Sequence, residues 1–165
     1  MDLKRHAGHE REIPRAHLYH AILPIIFMIT WILDSQFLHL STFLNNFVPF
    51  IVRLPIFILI FLIAIIFIEL SHRALFKDHQ PPNTLLTTGI LGYTRNPMYF
   101  GILLIYISFI CLSISLICIV LFVIVFFFYN RMVNFEEKLL ENMFGEKYLD
   151  YKSKVPKWFP IPIKK

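Results

Sequence analysis

The amino-acid sequence predicts an all-α, polytopic integral membrane protein with four transmembrane helices and a folded cytoplasmic tail. Hydrophobic residues make up 57% of the 165 residues and charged residues only 16%, whereas about a quarter of the residues in a soluble domain are charged. The mean hydropathy is +0.64. Basic residues flank long apolar stretches, which is typical of charges that orient a membrane protein and argues against nucleic-acid binding.

Two apolar stretches in the first half of the chain predict the first two spans. Residues 18–33 are just long enough to cross a bilayer, and residues 47–70 cross it comfortably. The first 17 residues are polar, and no small-residue cleavage site follows the first apolar stretch. We therefore expect no cleavable signal peptide.

The third apolar stretch, residues 98–129, is too long for one span. As a single helix it would measure about 48 Å, against a hydrocarbon core of about 30 Å. The two serines of the CLSISL segment, residues 111–116, mark the natural place for a break. We therefore predict a helical hairpin over 98–130, made of helices 98–112 and 115–130.

The distribution of positive charge supports four spans. Four Lys and Arg residues lie in 1–17, three in 71–97 and eight in 130–165, whereas 34–49 has none and Arg53 is the remaining one. Four spans place the three basic segments on one side of the membrane, which the positive-inside rule identifies as the cytoplasm. The prediction is thus one membrane domain, divided into 1–17 (cytoplasmic N-terminus), 18–70 (first two spans), 71–97 (cytoplasmic loop), 98–130 (hairpin) and 131–165 (cytoplasmic tail).

The tail is predicted to be folded. Residues 131–144 have helical periodicity, and Gly145 follows directly as a helix C-cap signal. A short second helix comes next. Trp158 and Phe159 lie beside lysines, a combination that favours an anchor at the membrane interface.

Polar groups stand where the third apolar stretch begins, in the segment TRNPMYFG (94–101). Asn96 is a favourable N-cap residue, Pro97 fits the first turn of a helix, and Arg95 falls at headgroup depth. One interpretation is purely structural: a cap, a helix start and an interfacial arginine. The other is that the N-terminus of this helix faces an anionic ligand group.

A helical wheel of the tail separates two adjacent carboxylates. At 100° per residue, Glu136 falls in the middle of the apolar face of 135–143, whereas Glu137 falls on the charged face. A carboxylate on an apolar face needs a cation or hydrogen-bond donors. Glu136 is therefore expected either to pair with Arg95 or Arg131 or to contact a ligand.

The remaining charged residues have simpler interpretations. Glu69 and Arg73 are four residues apart and are expected to form a helix pair, with Glu69 lining a site as the alternative. Asp34 and Arg53 lie at the ends of spans and are expected to be solvated.

No metal site is expected. The histidines lack the spacing of a metal-binding helix, and no histidine lies close in sequence to the two cysteines. Cys111 and Cys118 lie seven apart in an apolar run, which favours two packed apolar thiols.

The segments TTGILGYTRNPMYFG and EEKLLENMFGEKYLDYKSKVPKWFP resemble the isoprenylcysteine carboxyl methyltransferase family and, more distantly, the membrane phospholipid methyltransferases. The resemblance covers residues 83–160. It implies an integral membrane enzyme that uses S-adenosyl-L-methionine, held by the cytoplasmic ends of the hairpin helices and by the folded tail. By position, the cofactor contacts would be Asn83, Thr84, Leu85, Leu86, Leu91, Asn96, Pro97, Met98, Tyr99 and Glu136.

Two positions differ from the eukaryotic members of that family. Those enzymes have histidine where this chain has Asn96, and a substrate-binding arginine where it has Met132, with Arg131 adjacent. The expected acceptor is a carboxylate on a lipidated or amphiphilic molecule. Such an acceptor needs only a cation to steer it, for which Arg95 and Arg131 are candidates.

Other functions are compatible with the same sequence. A phospholipid amine or a small thiol would be an alternative acceptor, and each would require a base such as Glu69 or a nearby histidine. Outside the enzymes, the chain would be a membrane scaffold subunit that retains the fold. The expected partners are a lipidic methyl acceptor and membrane lipids.

Overall fold

The computed structural model describes residues 16–75 and 84–160, and this part of the chain contains helices and no β-strand. A π-helical turn, Leu33–Leu38, continues the first α-helix. Short 3₁₀ helices lie at Phe43–Asn46 and Gly89–Gly92. The α-helices are α1 (Ala16–Ile32), α2 (Phe50–Leu75), α3 (Pro97–Ser113), α4 (Leu116–Phe144) and α5 (Glu146–Lys154).

Three of these helical segments are long and apolar enough to cross a membrane, by length and composition. They are α1 with its π-helical turn (Leu18–Leu38), α2, and α4. The helix α3 is also apolar but has 17 residues. The predicted class, a helical integral membrane protein, is confirmed.

The predicted break in the third apolar stretch is confirmed, and the structure places it at Ile114. Helix α3 ends at Ser113 and α4 begins at Leu116. Ile114 has a φ of +42°, a region that a β-branched residue rarely adopts. The N–H of Ile114 donates to the carbonyl of Ile110, which closes the last turn of α3.

The helix α4 does not stop where the predicted span ends at residue 130. It runs for 29 residues to Phe144, a length of about 43 Å. Gly145 then ends it with a φ of +53°, a conformation that glycine adopts without a steric penalty. The predicted glycine stop is confirmed.

The described chain forms two compact units. The first unit contains residues 16–59 and 106–139, and the second contains 60–75, 84–105 and 140–160. Aromatic packing stabilises the first unit: Phe27 meets Tyr106 edge to face with ring centroids 4.7 Å apart.

Several polar groups in the first unit are hydrogen-bonded to one another. The hydroxyl oxygens of Tyr106 and Tyr129 lie 3.3 Å apart. Trp31 Nε1 lies 3.0 Å from both the carbonyl of Phe109 and the hydroxyl of Ser113, to which it donates. These bonds tie α1 to α3 and α3 to α4 without exposing polar atoms to lipid.

The expectation that Asp34 is solvated is wrong. Its side chain is 3% exposed and accepts the backbone N–H of Ser41 at 3.0 Å and the hydroxyls of Ser41 and Ser115 at 2.5 Å each. Those hydroxyls in turn accept the first N–H groups of α4: Ile117 donates to Ser41, and Cys118 donates to Ser115. A negative charge thus supports the positive end of the helix dipole.

Arg53, also expected to be solvated, is instead hydrogen-bonded at the C-terminal end of α3. Its guanidinium Nη1 donates to the carbonyl of Leu112 and to Asn45 Oδ1, and its Nε donates to the carbonyl of Val48. A positive charge therefore supports the negative end of a helix dipole. We call residues 34–53 with 112–118 the capped end.

Close helix packing marks the second unit. A Cβ atom added at Gly101 of α3 would lie 2.9 Å from the carbonyl oxygen of Ala64 and 2.8 Å from Ile68 Cγ1 in α2. Only glycine permits this approach of the two backbones. Directly before Gly101 in α3, the ring of Phe100 packs edge to face on Phe67.

Candidate functional site

The segment Thr94–Arg95–Asn96 holds the end of the tail by hydrogen bonds to backbone carbonyls. Thr94 is fully buried, and its hydroxyl lies 3.1 Å from the carbonyl of Lys157 and 3.0 Å from that of Trp158, to which it donates. The backbone N–H of Arg95 donates to the carbonyl of Pro156 at 3.0 Å. We call residues 94–96 with 152–158 the tail latch.

Arg95 and Asn96 contribute their side chains to the same latch. Arg95 Nη1 donates to the carbonyl of Lys152 at 3.0 Å, and Asn96 Nδ2 donates to the carbonyl of Lys157 at 3.2 Å. Lys152 also forms an ion pair with Glu141 of α4. The polar groups at the start of the third apolar stretch therefore organise the tail, a role that the sequence did not reveal.

The start of α3 is confirmed at the predicted position. Asn96 occupies the N-cap position, because its carbonyl accepts the first helical bond from the N–H of Phe100 at 3.0 Å and the helix begins at Pro97. Pro97 is buried, while Met98 and Tyr99 are half-buried. The backbone N–H groups of Met98 and Tyr99 lie in the first turn of α3, the part of a helix that attracts an anionic group.

The tail has its own small core. Tyr148, Tyr151 and Val155 are buried together, and Leu85 of the loop packs against them with Leu140 and Phe144. The hydroxyl of Tyr151 donates to the carbonyl of Leu91 at 2.6 Å. The loop before α3 is thus fixed to the tail by an apolar contact and a buried hydrogen bond.

The other predicted cofactor residues of the loop differ in exposure. Thr84 is exposed, Leu86 is half-buried, and Leu91 is 6% exposed. Asn83 lies outside the described residues. The predicted residues Thr84, Leu85, Leu86, Leu91, Asn96, Pro97, Met98 and Tyr99 all belong to the second unit.

The wheel of the tail helix requires a correction. Glu137, expected on the charged face, is 5% exposed, whereas Glu136 is half-buried. Met143, expected on the apolar face, is exposed. The buried side of α4 is set by Met132 and Val133 on the preceding turn, so it is rotated toward Glu137.

The remaining candidates lie on exposed surface. Glu69 and Arg73 form the predicted helix pair, with Glu69 Oε1 and Arg73 Nε 2.7 Å apart and both side chains more than half exposed. An exposed pair of this kind contributes at most about 1 kcal/mol. Arg131 of the first unit is also exposed.

Two further residues emerge from the structure. Thr94 connects the loop to two tail carbonyls, and Tyr151 connects the tail to the loop backbone. Tyr151 belongs to the segment FGEKYLDY, in which Tyr148 and Tyr151 are three residues apart. This spacing places both rings on one side of a helix and could have identified Tyr151. Nothing in the sequence around Thr94 distinguished its hydroxyl from an ordinary loop threonine.

The fold and these contacts define a helical membrane protein in which a loop and a C-terminal tail are fixed to the start of an apolar helix. Residues 56–147 match the phospholipid methyltransferase family. This match covers more than half of the chain, and the chain belongs to that family.

Curated relatives share about half of the chain. Protein-S-isoprenylcysteine O-methyltransferase of Schizosaccharomyces pombe is 33% identical over 86 residues, which are 52% of this chain and 35% of that protein. The proteins of the same name from Xenopus laevis and Mus musculus are 34% and 35% identical over 86 residues, 52% of this chain and 30% of each. The chain thus spans 30–35% of the length of these relatives. No solved structure matches it.

Proposed function

We propose that this protein is an integral membrane methyltransferase that uses S-adenosyl-L-methionine. The observation that carries the proposal is the family match over residues 56–147, which includes the loop before α3 and the whole of α3 and α4. The curated relatives named as isoprenylcysteine O-methyltransferases match over a stretch of similar length.

The proposed topology has four crossings, formed by α1, α2, α3 and α4, with both termini in the cytoplasm. The charge distribution along the sequence supports it. Reporter fusions test it: a green fluorescent protein should fluoresce at either terminus, and an alkaline phosphatase should stay inactive at both. Active phosphatase at one terminus would exclude an even number of crossings.

The residues of the second unit fit this cofactor. The first turn of α3 presents the N–H groups of Met98 and Tyr99 to a carboxylate. Half-buried Leu86 and exposed Thr84 offer apolar and hydroxyl contacts of the kind that a nucleoside requires. Glu136 is proposed as a further contact on the family resemblance alone, and its role is tested separately below.

The proposed acceptor is a carboxylate on a lipidated cysteine or another amphiphile. S-adenosyl-L-methionine supplies a methyl group on a sulfonium. Attack by a carboxylate oxygen breaks the carbon–sulfur bond, leaves the electron pair on sulfur and produces a methyl ester. No base is needed, so the protein contributes positioning and exclusion of water.

Of the two candidate cations, Arg131 is the better partner for the acceptor. Arg95 is half-buried and donates to the tail backbone, whereas Arg131 is exposed. Arg131→Ala should raise the KM for a carboxylate acceptor and leave cofactor affinity unchanged. Arg95→Ala should weaken cofactor affinity as well, because it loosens the tail latch.

A phospholipid amine is the second candidate acceptor, favoured by the family to which the chain belongs. Transfer to an amine requires loss of a proton, and Glu69 would have to leave its pair with Arg73 to accept it. Glu69→Gln separates the two acceptors. It should leave transfer to a carboxylate unchanged and reduce transfer to an amine.

The proposal is tested by binding first and by transfer second. Purified protein in nanodiscs should bind S-adenosyl-L-methionine and its demethylated product saturably in calorimetry. Radiolabelled methyl should then pass to S-farnesylcysteine derivatives with a free carboxylate and not to the same compounds as methyl esters. The absence of saturable binding would identify the chain as a scaffold, and transfer to phosphatidylethanolamine or to a small thiol alone would assign the alternative acceptors.

Glu136 and Glu137 provide a matched pair for the cofactor contact. Glu136→Gln should lower cofactor affinity at least about tenfold, equivalent to 1.4 kcal/mol, with unchanged thermal unfolding. Glu137→Gln changes a 5% exposed side chain and should lower thermal stability with little effect on affinity. The reverse pattern would assign the cofactor contact to Glu137.

A further inference from the structure

The capped end carries large apolar side chains on its outside. Phe37, Leu40, Phe47 and Ile51 are each at least 70% exposed, and we call these four the apolar rim. We propose that the capped end lies below the lipid–water boundary, with the apolar rim in contact with lipid acyl chains. This inference does not depend on the proposed methyltransferase activity.

In the capped end, the positions of the charged side chains and of the largest apolar side chains are reversed relative to a loop in water. Asp34 is 3% exposed and Arg53 is partly buried, while Phe47, between them in sequence, is 78% exposed. In a water-exposed loop the charges face solvent and the large apolar side chains pack inward. The observed arrangement is the one expected where the surrounding medium is hydrocarbon.

Several backbone groups at the two helix ends that meet at the turn between α3 and α4 are paired with protein atoms. The N–H groups of Leu116, Ile117 and Cys118 donate to oxygens of Ser41 or Ser115. At the other helix end, Arg53 donates to the carbonyl of Leu112 in the last turn of α3, and Trp31 donates to the carbonyl of Phe109 just before that turn. At ordinary helix ends, water forms hydrogen bonds to such backbone groups. In hydrocarbon, the same groups must be paired within the protein.

The length of α3 agrees with a submerged end. Its 17 residues span about 25 Å, less than the roughly 30 Å of the hydrocarbon core. A helix that begins near one interface and has this length ends before it reaches the other. The turn at Ile114 then lies within the apolar layer.

Charge and continuity identify lipid as the occupant of this surface. Residues 35–52 contain no Asp, Glu, Lys or Arg, and exposed His39 is their one titratable side chain, so the surface offers little charge to a protein partner. The apolar rim continues directly into exposed apolar residues of the adjoining helices, Leu33 before it and Val52 after it. Lipid that covers those helices therefore covers the rim as well.

A nitroxide attached at Phe47→Cys in proteoliposomes tests the position of the capped end. Collision rates are measured with oxygen, which concentrates in hydrocarbon, and with a water-soluble nickel chelate. Ile66→Cys, on the exposed side of α2, is the lipid control, and Lys154→Cys, at the exposed end of α5, is the water control. The unsubstituted protein, with Cys111 and Cys118, gives the background labelling.

We expect the Phe47→Cys label to behave like the Ile66→Cys label, with nickel collisions at least about tenfold rarer than at Lys154→Cys because polar reagents are excluded from hydrocarbon. Nickel access equal to that at Lys154→Cys would place the capped end in water and overturn the proposal. Protection from both reagents would show a protein cover, such as a second copy, and would also overturn it. Ile51→Cys repeats the measurement if Phe47→Cys does not fold.

Discussion

Removal of the Asp34 carboxylate is expected to destabilise the protein by about 3 kcal/mol. Asp34 accepts three hydrogen bonds, each worth about 1.5–3 kcal/mol when the acceptor is charged. In Asp34→Ala, the hydroxyls of Ser41 and Ser115, 3.1 Å apart, no longer donate to the carboxylate, and one of them can donate to the other instead. About two bonds are therefore lost, and relief from the burial of a charge offsets part of their value.

Thermal unfolding followed by the fluorescence of Trp31 measures this effect. Trp31 is bonded to α3 within the same unit, and Trp158→Phe removes the second tryptophan from the signal. At roughly 2–4 °C per kcal/mol for a protein of this size, Asp34→Ala should lower Tm by about 6–12 °C. Asp34→Asn, which keeps one acceptor oxygen, should lower it by about half as much.

The exposed neighbour Gln36 supplies the matched control. Gln36→Ala should change stability by no more than about 0.5 kcal/mol, as at other surface positions. If Asp34→Ala unfolds at the same temperature as Gln36→Ala, the carboxylate does not stabilise the start of α4. The interpretation of the capped end as an internally paired structure would then be refuted.

Three further substitutions have definite expected outcomes in the same unfolding assay or in hydrogen exchange. Gly101→Ala should destabilise the protein by about 1–3 kcal/mol, because the new Cβ meets the carbonyl of Ala64. Helix propensity alone predicts a gain in stability instead, and such a gain would contradict the close approach of the two helices. Ile114→Gly should leave stability unchanged or raise it by up to about 1 kcal/mol. The strain of a left-handed isoleucine, which glycine removes, is larger than the entropy that glycine loses on folding. The control Ile114→Val should not raise stability. Thr94→Val should speed hydrogen exchange in residues 155–158 about fivefold, corresponding to loss of a hydrogen bond of about 1 kcal/mol. Thr94→Ser keeps the hydroxyl and should keep the protection. Equal exchange rates in the two variants would show that the Thr94 hydroxyl does not hold the tail.

The features that local sequence reasoning predicted correctly are those set by local physics. The excess length of the third apolar stretch required a break near residue 114, and the glycine at 145 ended α4 where its conformation suggested. The start of α3 at Pro97 followed from the Asn–Pro pair. The two helix ends depend on residues within one or two turns of each other, and the break depends on the length of one uninterrupted apolar stretch.

The features that it missed depend on partners far away in sequence. Asp34 is bonded to Ser115, 81 residues later, and Arg53 to Leu112, 59 residues later. A position at the end of a span suggests solvent, and no local pattern identifies such partners. The buried side of α4 was misjudged for a related reason, since Val133 on the preceding turn, and not Met143, shows which way the helix faces.

The tail latch also means that the loop before α3 cannot finish folding until the tail has been synthesised. Thr94, Arg95 and Asn96 wait for carbonyls that lie 57–64 residues later in the chain. At about 5–20 residues per second, the ribosome needs about 3–13 s to make them. During that interval the loop before α3 lacks its final partners, so in a chain that terminates before residue 152 this loop is not fixed by the tail. The loop before α3 therefore reaches its final hydrogen-bonded state only after the tail has been synthesised.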